Sequence, residues 1–459
     1  MKNMTLAHVA QVVKGQLILP EGREALKNSE IQGAVNDNRK VEKDFLFIPM
    51  VGARVDGHDF IEDAFSKGAL ASLSERKLEN VSGPYIIVED TKLALKQIAT
   101  DYRMQLNIPV IGVIGSVGKT STKEMLSSVL ATKFNVLKTE GNFNNEIGLP
   151  LTICRIKDEH QVAVVEMGIS DFGEMHRLGD IAKPDYVVMT NIGQCHLEFL
   201  KSRDGILQAK TEVFEHMPKN GTVILNGDDD KLINADTLGL NKIFYGLNGQ
   251  EVSASDIVAE GMTGTRAVIN LFGESFEATI QLPGTHNVMN ALAAAAVGKV
   301  LGLSNEEIKK GLEKASTIAG RNNVIEVRDI TIIDDCYNAN PVSMKASIEV
   351  LGKAPGRTIA VLGDMGELGD DERQLHYEIG QTLEDNHIGY VFTVGDLSEE
   401  INNSLSQKNS SCMAHHYTNV EAMLEDLLPI IRGGDTILVK ASHFMNFSTV
   451  VEAIQTRFE

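Results

Sequence analysis

The chain has 459 residues, of which 43% are hydrophobic and 23% are charged, and its 43 basic and 63 acidic residues give a formal net charge of −20. This composition excludes a disordered chain, which has far fewer apolar residues, and the sequence has no apolar run of about 20 residues that would span a membrane. An acidic surface repels nucleic acid, so we expect no nucleic-acid partner. At roughly 150 residues per domain, the length predicts about three domains.

The N-terminus and the cysteines indicate the compartment. The first residues lack the apolar core and the small-residue cleavage site of a signal peptide. The cysteines are scattered and form no CxxC pair: Cys154, Cys195, Cys336 and Cys412. This spacing favours a reducing compartment and argues against a disulfide framework or a thiolate zinc site. We therefore expect a cytoplasmic, monomeric protein that does not insert into a membrane.

The elements predict an α/β fold of three domains. Residues 1–105 read as a small α/β module that ends in a helix at 91–106. The central segment, 106–318, has continuous apolar runs typical of a parallel sheet buried on both faces. These runs lie at 110–115, 162–168, 186–193 and 222–229. The segment at 256–281 alternates and predicts an antiparallel extension.

Further helices and strands follow toward the C-terminus. A helix is expected near His286, and another is expected after Ser304, because Glu307 three residues on completes a capping-box pattern. A second alternating α/β series occupies 319–459. Its predicted strands lie at 331–333, 358–362, 390–394 and 436–439.

The strongest local signal is a glycine-rich loop between the first central strand and a helix predicted at 122–133. It consists of Gly115, Ser116, Val117, Gly118, Lys119, Thr120 and Ser121. Backbone amides of such a loop bind phosphate, the lysine reaches the outer phosphates, and the threonine hydroxyl coordinates Mg²⁺. Val113 stands where the full motif has its first glycine, so a fortuitous turn is the alternative. The strand-then-helix context favours nucleotide binding.

Glu166 ends the apolar part of one run, and His196 follows the next run along the chain. Ligands of an open parallel sheet bind beyond the carboxyl ends of its strands, where Lys119 is also expected. An acid, an imidazole and the Thr120 hydroxyl predict a divalent-metal site for Mg²⁺, with Mn²⁺ as an alternative. Ordinary hydrogen-bonded roles are the alternative for each residue taken singly.

Lys210 lies within an apolar stripe of a helix predicted to begin near Asp204. Desolvation lowers the pKa of a lysine and makes its neutral amine available. One outcome is a CO₂ adduct, a carbamate, that would bind a metal. The alternative is a lysine that extends its ammonium from the edge of the stripe into water.

Three further segments lie near the predicted junctions. The amides of Asn287 and Asn290 suit recognition of a base edge, with helix capping as the alternative. Asp335 follows a strand and suits a ribose or metal contact, with an Asx-rich turn as the alternative. Arg321 stands at the predicted hinge, where it would complete a phosphate site on domain closure or serve only as a surface charge.

Taken in order, these segments resemble the Mur ligases of peptidoglycan synthesis over essentially the whole chain. The stretches that carry the resemblance are DGHDF (56–60), GSVGKTSTKEM (115–125), GNFNNEIGLP (141–150), EMGISDFGEM (166–175), TNIGQCHLE (190–198), AKTEVF (209–214), GTHNVMNALAAAA (284–296), DDCYNANPVSM (334–344) and LGDMGELG (362–369). DDCYNANP and GDMGELG are typical of the family members that add D-alanyl-D-alanine.

The resemblance implies a UDP-binding N-terminal domain, a central ATPase domain with the phosphate loop, and a Rossmann-like C-terminal domain. It also implies a reaction in which ATP phosphorylates the terminal carboxylate of a UDP-N-acetylmuramoyl-tripeptide. The amine of D-Ala-D-Ala then attacks the acyl phosphate and releases phosphate. The partners so implied are small-molecule substrates.

The resemblance also implies residue roles. Lys119 would bind the β- and γ-phosphates and Arg321 the γ-phosphate. The metal would be held by Thr120, Glu166, His196 and a carbamylated Lys210. Adenosine would be contacted by Asn287, Asn290 and Asp335. Acyl and amine substrates would be contacted by Asp37, Arg39, Asp56, Gly57, His58, Asn142, Asn145, Asn338 and Asn340.

Several positions depart from the family pattern. Asn36 and Asn38 flank Asp37 where serine or threonine is usual, and Ile114 replaces a threonine before the phosphate loop. His443 stands in place of an arginine that could pair with a carboxylate through two hydrogen bonds. The alternatives are therefore a sibling ligase with another acceptor, such as a folylpolyglutamate synthetase-like enzyme, and a nucleotide-binding homologue without catalysis.

Overall fold

The computed structural model describes residues 1–407 and 410–459, and these residues form three sheets with helices packed against them. The sheets follow one another along the chain, so the α/β architecture of three domains is confirmed. The predicted boundaries near residues 105 and 319 fall in the connections between the sheets. Across the described residues, every helix is too short or too polar to cross a membrane.

The N-terminal domain has a five-stranded sheet of order β1-β5-β4-β3-β2. Only the β1–β5 pairing is antiparallel. Its elements are α1 (Leu6–Val12), β1 (Gln16–Ile18), β2 (Gly33–Val35), β3 (Phe45–Phe47), α2 (Ile61–Ser66), β4 (Ala71–Ser74), β5 (Tyr85–Ile87) and α3 (Thr91–Gln105).

The central domain has a nine-stranded sheet of order β14-β13-β12-β11-β10-β9-β6-β8-β7. Its strands are β6 (Val110–Ile114), β7 (Val136–Lys138), β8 (Val162–Glu166), β9 (Tyr186–Met189), β10 (Thr222–Asn226), β11 (Asn241–Gly246), β12 (Val252–Ala259), β13 (Thr265–Leu271) and β14 (Glu274–Ile280). Its helices are α4 (Lys119–Leu130), α5 (Gly148–Cys154), α6 (Glu174–Ala182), α7 (Leu197–Leu200), α8 (Arg203–Thr211), α9 (Thr285–Val300) and α10 (Asn305–Lys314).

Strands β7 to β12 are parallel, and β12, β13 and β14 form the predicted antiparallel extension. Every residue of β6 and β8 is buried, as continuous apolar runs require in a sheet covered on both faces. Ser304 and Glu307 form the predicted capping box of α10.

The C-terminal domain has a six-stranded sheet of order β15-β16-β20-β17-β18-β19, in which only the β15–β16 pairing is antiparallel. Its elements are β15 (Asn323–Val327), β16 (Ile330–Asp334), α11 (Pro341–Leu351), β17 (Arg357–Gly363), α12 (Glu372–Asp385), β18 (Tyr390–Val394), α13 (Glu399–Gln407), β19 (Met413–Tyr417), α14 (Val420–Ile430), β20 (Asp435–Lys440) and α15 (Ser448–Phe458).

The helix after the phosphate loop begins earlier than predicted. Helix α4 starts at Lys119, three residues before the predicted start, and ends at Leu130. Gly118 precedes it with a φ of 81°, a left-handed conformation that glycine adopts without strain. Thr120 and Ser121 therefore belong to the first turn of the helix, where backbone amides lack intrahelical partners.

Candidate active site

A cavity of about 900 Å³ lies between the central and C-terminal domains. The central domain contributes the phosphate loop, the end of β8 and the loop after β9. The C-terminal side contributes residues after β16 and β20. Among the residues that line it are Ser116, Val117, Gly118, Lys119, Thr120, Ser121, Asn145, Glu166, His196, Asn290, Arg321, Asp335, Asn338, Asn340 and His443. The cavity thus gathers predicted residues from both sides of the hinge.

The phosphate loop is held in shape by the loop that follows β9. The Asn191 side chain accepts a hydrogen bond from the Val117 amide at 3.1 Å and donates to the Val117 carbonyl at 3.1 Å. Gly115 packs so closely against Thr190 that an added Cβ would lie 1.9 Å from the Thr190 hydroxyl. The loop therefore requires glycine at this point and is organised by neighbouring strands before any ligand binds.

Lys119 lies in the first turn of α4 and lines the cavity. Its ammonium donates to the carbonyls of Gly115 at 3.0 Å and Ser116 at 3.3 Å, both within its own loop. Within the described part of the chain, no side chain caps the start of α4. The Lys119 ammonium thus lies beside the uncapped backbone amides of α4, and this arrangement suits the binding of a polyphosphate.

Glu166 ends β8 and is 2% exposed. Its Oε1 accepts a hydrogen bond from Asn144 at 2.8 Å, whereas its buried Oε2 has no hydrogen-bond partner within residues 1–407 and 410–459. The ammonium of the buried Lys123 lies 3.9 Å from that oxygen. An unpartnered carboxylate oxygen beside the cavity, with the Thr120 hydroxyl also on its wall, fits a hard divalent cation.

His196 follows β9 and faces the C-terminal domain. Its Nδ1 lies 2.5 Å from Oε2 of Glu367, which belongs to the loop after β17. The two atoms are close enough for an ion pair, but their geometry is not that of a well-aligned hydrogen bond. Proximity to His196 lowers the pKa of Glu367 despite its partial burial. The expected metal ligand thus sits at the contact between two domains.

Lys210 is 1% exposed, so the alternative of a lysine reaching into water is wrong. Among the described residues its ammonium has no hydrogen bond or ion pair. Burial lowers its pKa to about 8, opposed by the nearby Cys195 thiol and reinforced by the charge of Lys119. Helix α8 ends at Thr211, and a 3₁₀ helix (Glu212–His216) continues the buried stripe with Val213 and Phe214.

Arg321 lies flat over the Tyr337 ring, with its guanidinium carbon 3.9 Å from the ring centroid. Its buried Nε has no hydrogen-bond partner among the described residues, although Arg321 borders the cavity. The alternative of a mere surface charge is wrong because the guanidinium is stacked and directed at the cavity.

Asp335 has internal partners on both carboxylate oxygens. Oδ1 accepts from the Asn322 amide at 2.9 Å, and Oδ2 accepts from Ser347 at 2.5 Å and from the buried Lys440 ammonium at 2.6 Å. This network connects β16, α11 and β20. Asp335 therefore holds these three elements together and also lines the cavity.

The two asparagines of α9 differ in position. Asn290 lines the cavity, accepts from Thr122 at 2.9 Å and donates to Asn287 at 3.1 Å. Asn287 is 3% exposed, lies behind this wall, and donates to the Pro283 carbonyl at 2.9 Å. The side chain of Asn287 thus supports that of Asn290.

The N-terminal candidates Asp37, Arg39, Asp56, Gly57 and His58 do not border this cavity. Asp37 pairs with Arg39 through both oxygens, at 2.9 and 2.8 Å, and this contact lowers the pKa of Asp37 to about 2. Arg39 remains 82% exposed. Asn142 also lies outside the cavity wall, whereas Asn145 is part of it.

Family models match almost the whole chain. The Mur ligase family catalytic domain matches residues 30–110, the Mur ligase middle domain 113–298, and the Mur ligase glutamate ligase domain 320–443. A UDP-N-acetylmuramoyl-tripeptide–D-alanyl-D-alanine ligase of Bacillus subtilis is 39% identical over 453 residues, covering 98% of this chain and 97% of the relative. The chain belongs to the Mur ligase family.

Solved Mur ligases share the fold. A crystal structure of MurF from Acinetobacter baumannii has a TM-score of 0.89, 31% identity and 99% coverage of both chains. MurF from Thermotoga maritima in complex with ADP has a TM-score of 0.82 and 32% identity, covering 93% of this chain and 97% of that one. The similarity therefore extends across all three domains.

The sequence did not predict several of the contacts that residues of this Mur ligase make in and around the cavity. Asn144 bonds Glu166, although its neighbours Asn142 and Asn145 were the predicted contacts. Asn191 and Glu367 lie in stretches that carry the resemblance, yet their partners come from distant parts of the chain. His443 packs 5.2 Å from the Tyr337 ring, centroid to centroid, beside the stacked Arg321. Only the assembled domains reveal these pairings.

Proposed function

We propose that the chain is an ATP-dependent ligase that joins the terminal carboxylate of a UDP-N-acetylmuramoyl-tripeptide to the amine of D-Ala-D-Ala. The observation that carries the proposal is the similarity, across nearly the whole chain, to ligases of that name. A cavity with a phosphate loop on one wall and Arg321 on the other supports it. Such a cavity can hold a nucleotide and an acyl group at a domain boundary.

The proposed reaction has two steps. A carboxylate oxygen of the tripeptide attacks the γ-phosphorus of ATP, the bond to the bridging oxygen breaks, and ADP leaves. The amine nitrogen then attacks the carbonyl carbon, forms a tetrahedral intermediate and expels phosphate, with the amine proton passing to solvent. Both steps bring anions together, so cations at fixed positions lower the barrier.

Lys119 and Arg321 supply this positive charge in the proposal. On nucleotide binding, Lys119 exchanges its two loop carbonyls for β- and γ-phosphate oxygens. Arg321 offers a buried Nε without a partner and is held flat by Tyr337. Because the two residues lie on opposite sides of the hinge, domain closure would bring both to the γ-phosphate and exclude water.

Thr120 and Glu166 are the residues that would hold Mg²⁺ or Mn²⁺, joined by His196 and a modified Lys210. When bound, the cation would neutralise phosphate charge and align the γ-phosphate for attack. Glu166 fits because its Oε2 is buried and accepts no hydrogen bond from the part of the chain that the structure describes. His196 would take part through its Nε2, because its Nδ1 faces Glu367 across the domain contact.

Lys210 fits carbamylation. Its pKa of about 8 leaves part of the amine neutral near neutral pH, and it has no internal partner to give up. The amine nitrogen attacks CO₂, an N–C bond forms, and one proton leaves. The product is an anionic carboxylate analogue in place of a buried cation.

Substrate contacts complete the proposal. Asn290, supported by Asn287, would contact adenine, and Asp335 would contact ribose through lone pairs that its internal bonds leave free. Asp37, Arg39, Asp56, Gly57 and His58 would lie at the uridine end. Asn142, Asn145, Asn338 and Asn340 would face the acyl and amine substrates. We also propose domains at 1–105, 106–318 and 319–459, a cytoplasmic location and a monomeric state.

The deciding experiment measures phosphate release from ATP and Mg²⁺ with UDP-N-acetylmuramoyl-tripeptide, with and without D-Ala-D-Ala, followed by the product mass. The proposal expects release that needs both substrates and a pentapeptide product. Release only with another amine would instead favour a sibling ligase, a candidate that the histidine at position 443 raises. ATP binding without release for any substrate pair would favour a non-catalytic homologue.

A further inference from the structure

Two histidines and a glutamate meet on the surface of the central domain, on α6 and the 3₁₀ helix after α8. His176 Nδ1 lies 3.1 Å from His216 Nε2 and 3.2 Å from Glu215 Oε2. The ligand atoms of all three residues lie within 4.8 Å of one another. None of these residues lines the cavity described above. The cluster is therefore separate from the proposed nucleotide site.

The spacing of these atoms suits one metal ion. Imidazole nitrogens and carboxylate oxygens bind Zn²⁺ at about 2.0–2.2 Å, so neighbouring ligand atoms of a tetrahedral site lie about 3.3 Å apart. The separations of 3.1 and 3.2 Å approach that value. The Glu215 side chain is 58% exposed and free to complete the arrangement.

The surroundings hold His216 in a ligating orientation. Its ring lies on the backbone of α6, where a Cβ added to Gly179 would come within 2.9 Å of His216 Cδ2. Its other ring nitrogen, Nδ1, lies 3.7 Å from Oδ1 of Asp180. Metal-ligating histidines commonly direct their second nitrogen at a carboxylate, which fixes the tautomer and strengthens the ligand.

We propose that His176, Glu215 and His216 form a binding site for a divalent transition-metal ion of the Zn²⁺ class. Two imidazoles and one carboxylate favour such an ion over Mg²⁺, which prefers oxygen ligands. His176 and Glu215 are both more than half exposed, so water can fill the remaining coordination position. The bound ion would link α6 to the segment that directly follows the Lys210 helix.

The test is a calorimetric titration of the full-length protein with Zn²⁺, in the presence of ATP and excess Mg²⁺. The variants are His176→Asn and Glu215→Gln, and the matched control is His387→Asn. His387 is an exposed histidine of the C-terminal domain with a φ of 54°, which asparagine tolerates. Thermal melts without Zn²⁺ verify that all variants fold.

The proposal expects the wild type and His387→Asn to bind one Zn²⁺ more than His176→Asn. It expects Glu215→Gln to weaken that site by more than about tenfold. Zn²⁺ should also raise the melting temperature of the wild type more than that of His176→Asn. Identical isotherms for the wild type and His176→Asn would overturn the proposal, as would an equal loss in His387→Asn.

Discussion

The N-terminal DGHDF segment and the cavity between the other two domains use polar residues in opposite ways. Asp56 accepts hydrogen bonds from the His58 amide at 2.9 Å, from the His58 ring at 2.7 Å and from Arg76 at 2.9 Å. His58 in turn accepts from the Glu75 amide at 3.1 Å. In the cavity, Oε2 of Glu166 and Nε of Arg321 are buried and have no hydrogen-bond partner among the described residues.

This difference separates residues that build a loop from residues left available to a ligand. A buried polar atom without a hydrogen-bond partner costs roughly 1–3 kcal/mol, and where such an atom borders a cavity a ligand can supply the missing partner. Substitutions in the cavity should therefore reduce turnover and leave stability nearly unchanged. Substitutions in the DGHDF segment should lower stability and leave ATP binding unchanged.

The largest expected effect is that of Lys119→Ala. We expect phosphate release to fall about 10³-fold, because a preorganised cation at the phosphates is lost. The melting temperature should change little, since the ammonium contacts only two carbonyls of its own loop. Lys133→Ala, which removes a lysine just beyond the same helix, is the control. Turnover of Lys119→Ala close to that of the wild type would contradict the phosphate-loop assignment.

Lys210→Ala and Lys210→Met should each lose about 10²-fold in turnover, comparable to the removal of one preorganised charged group. Methionine fills the buried space without an amine, whereas alanine leaves room. A short carboxylic acid or bicarbonate should therefore partly restore the turnover of Lys210→Ala but not that of Lys210→Met. Steady-state rates with and without added acid measure this. An active Lys210→Met variant would mean that the lysine only fills space.

Asp56→Asn should lower stability without changing ATP binding. We expect the midpoint temperature for unfolding of the N-terminal domain to fall by roughly 4–8 °C at pH 7, with the KM for ATP unchanged. The hydrogen bonds from His58 and Arg76 lower the pKa of Asp56 to about 2. The stability that this carboxylate contributes is thus present above pH 4 and lost as the pH falls toward 2.

Thermal melts of both proteins between pH 7 and pH 2 measure that contribution. The difference between the wild type and Asp56→Asn should shrink below pH 4. A constant difference across the whole range would show that the charge of Asp56 is not what holds the segment together.

The smallest effect is expected at the domain junction, in His286→Gln. Burial lowers the pKa of His286 to about 4, and its Nε2 lies 3.2 Å from the amide nitrogen of Asn322 across the hinge. Wild-type stability should therefore fall as the pH drops from 6.5 toward 4, because the unfolded chain binds the proton first. Glutamine keeps an acceptor but does not titrate, so its melting temperature should vary less. Equal slopes for both proteins would contradict this role.

Local sequence patterns predicted several of the strands and the positions of residues at their ends. The apolar runs predicted β6, β8 and β9, because a strand covered on both faces must be apolar throughout. The parallel arrangement then brought Glu166 to the same edge as Lys119, as the rule for strand ends requires. The start of α4 was misplaced by three residues, because the left-handed conformation of Gly118 lets the helix begin at Lys119.

Which side chains contact one another depends on the folded structure. Asp335 pairs with Lys440, His196 faces Glu367, and Asn144 rather than its neighbouring asparagines bonds Glu166. Each pairing depends on how separate strands, loops and domains pack, which no local spacing encodes. The elements and the residue types at their ends could be predicted from local sequence, because they follow from burial and backbone conformation. Packing within and between the domains decided which polar atoms are satisfied and which are left for a ligand.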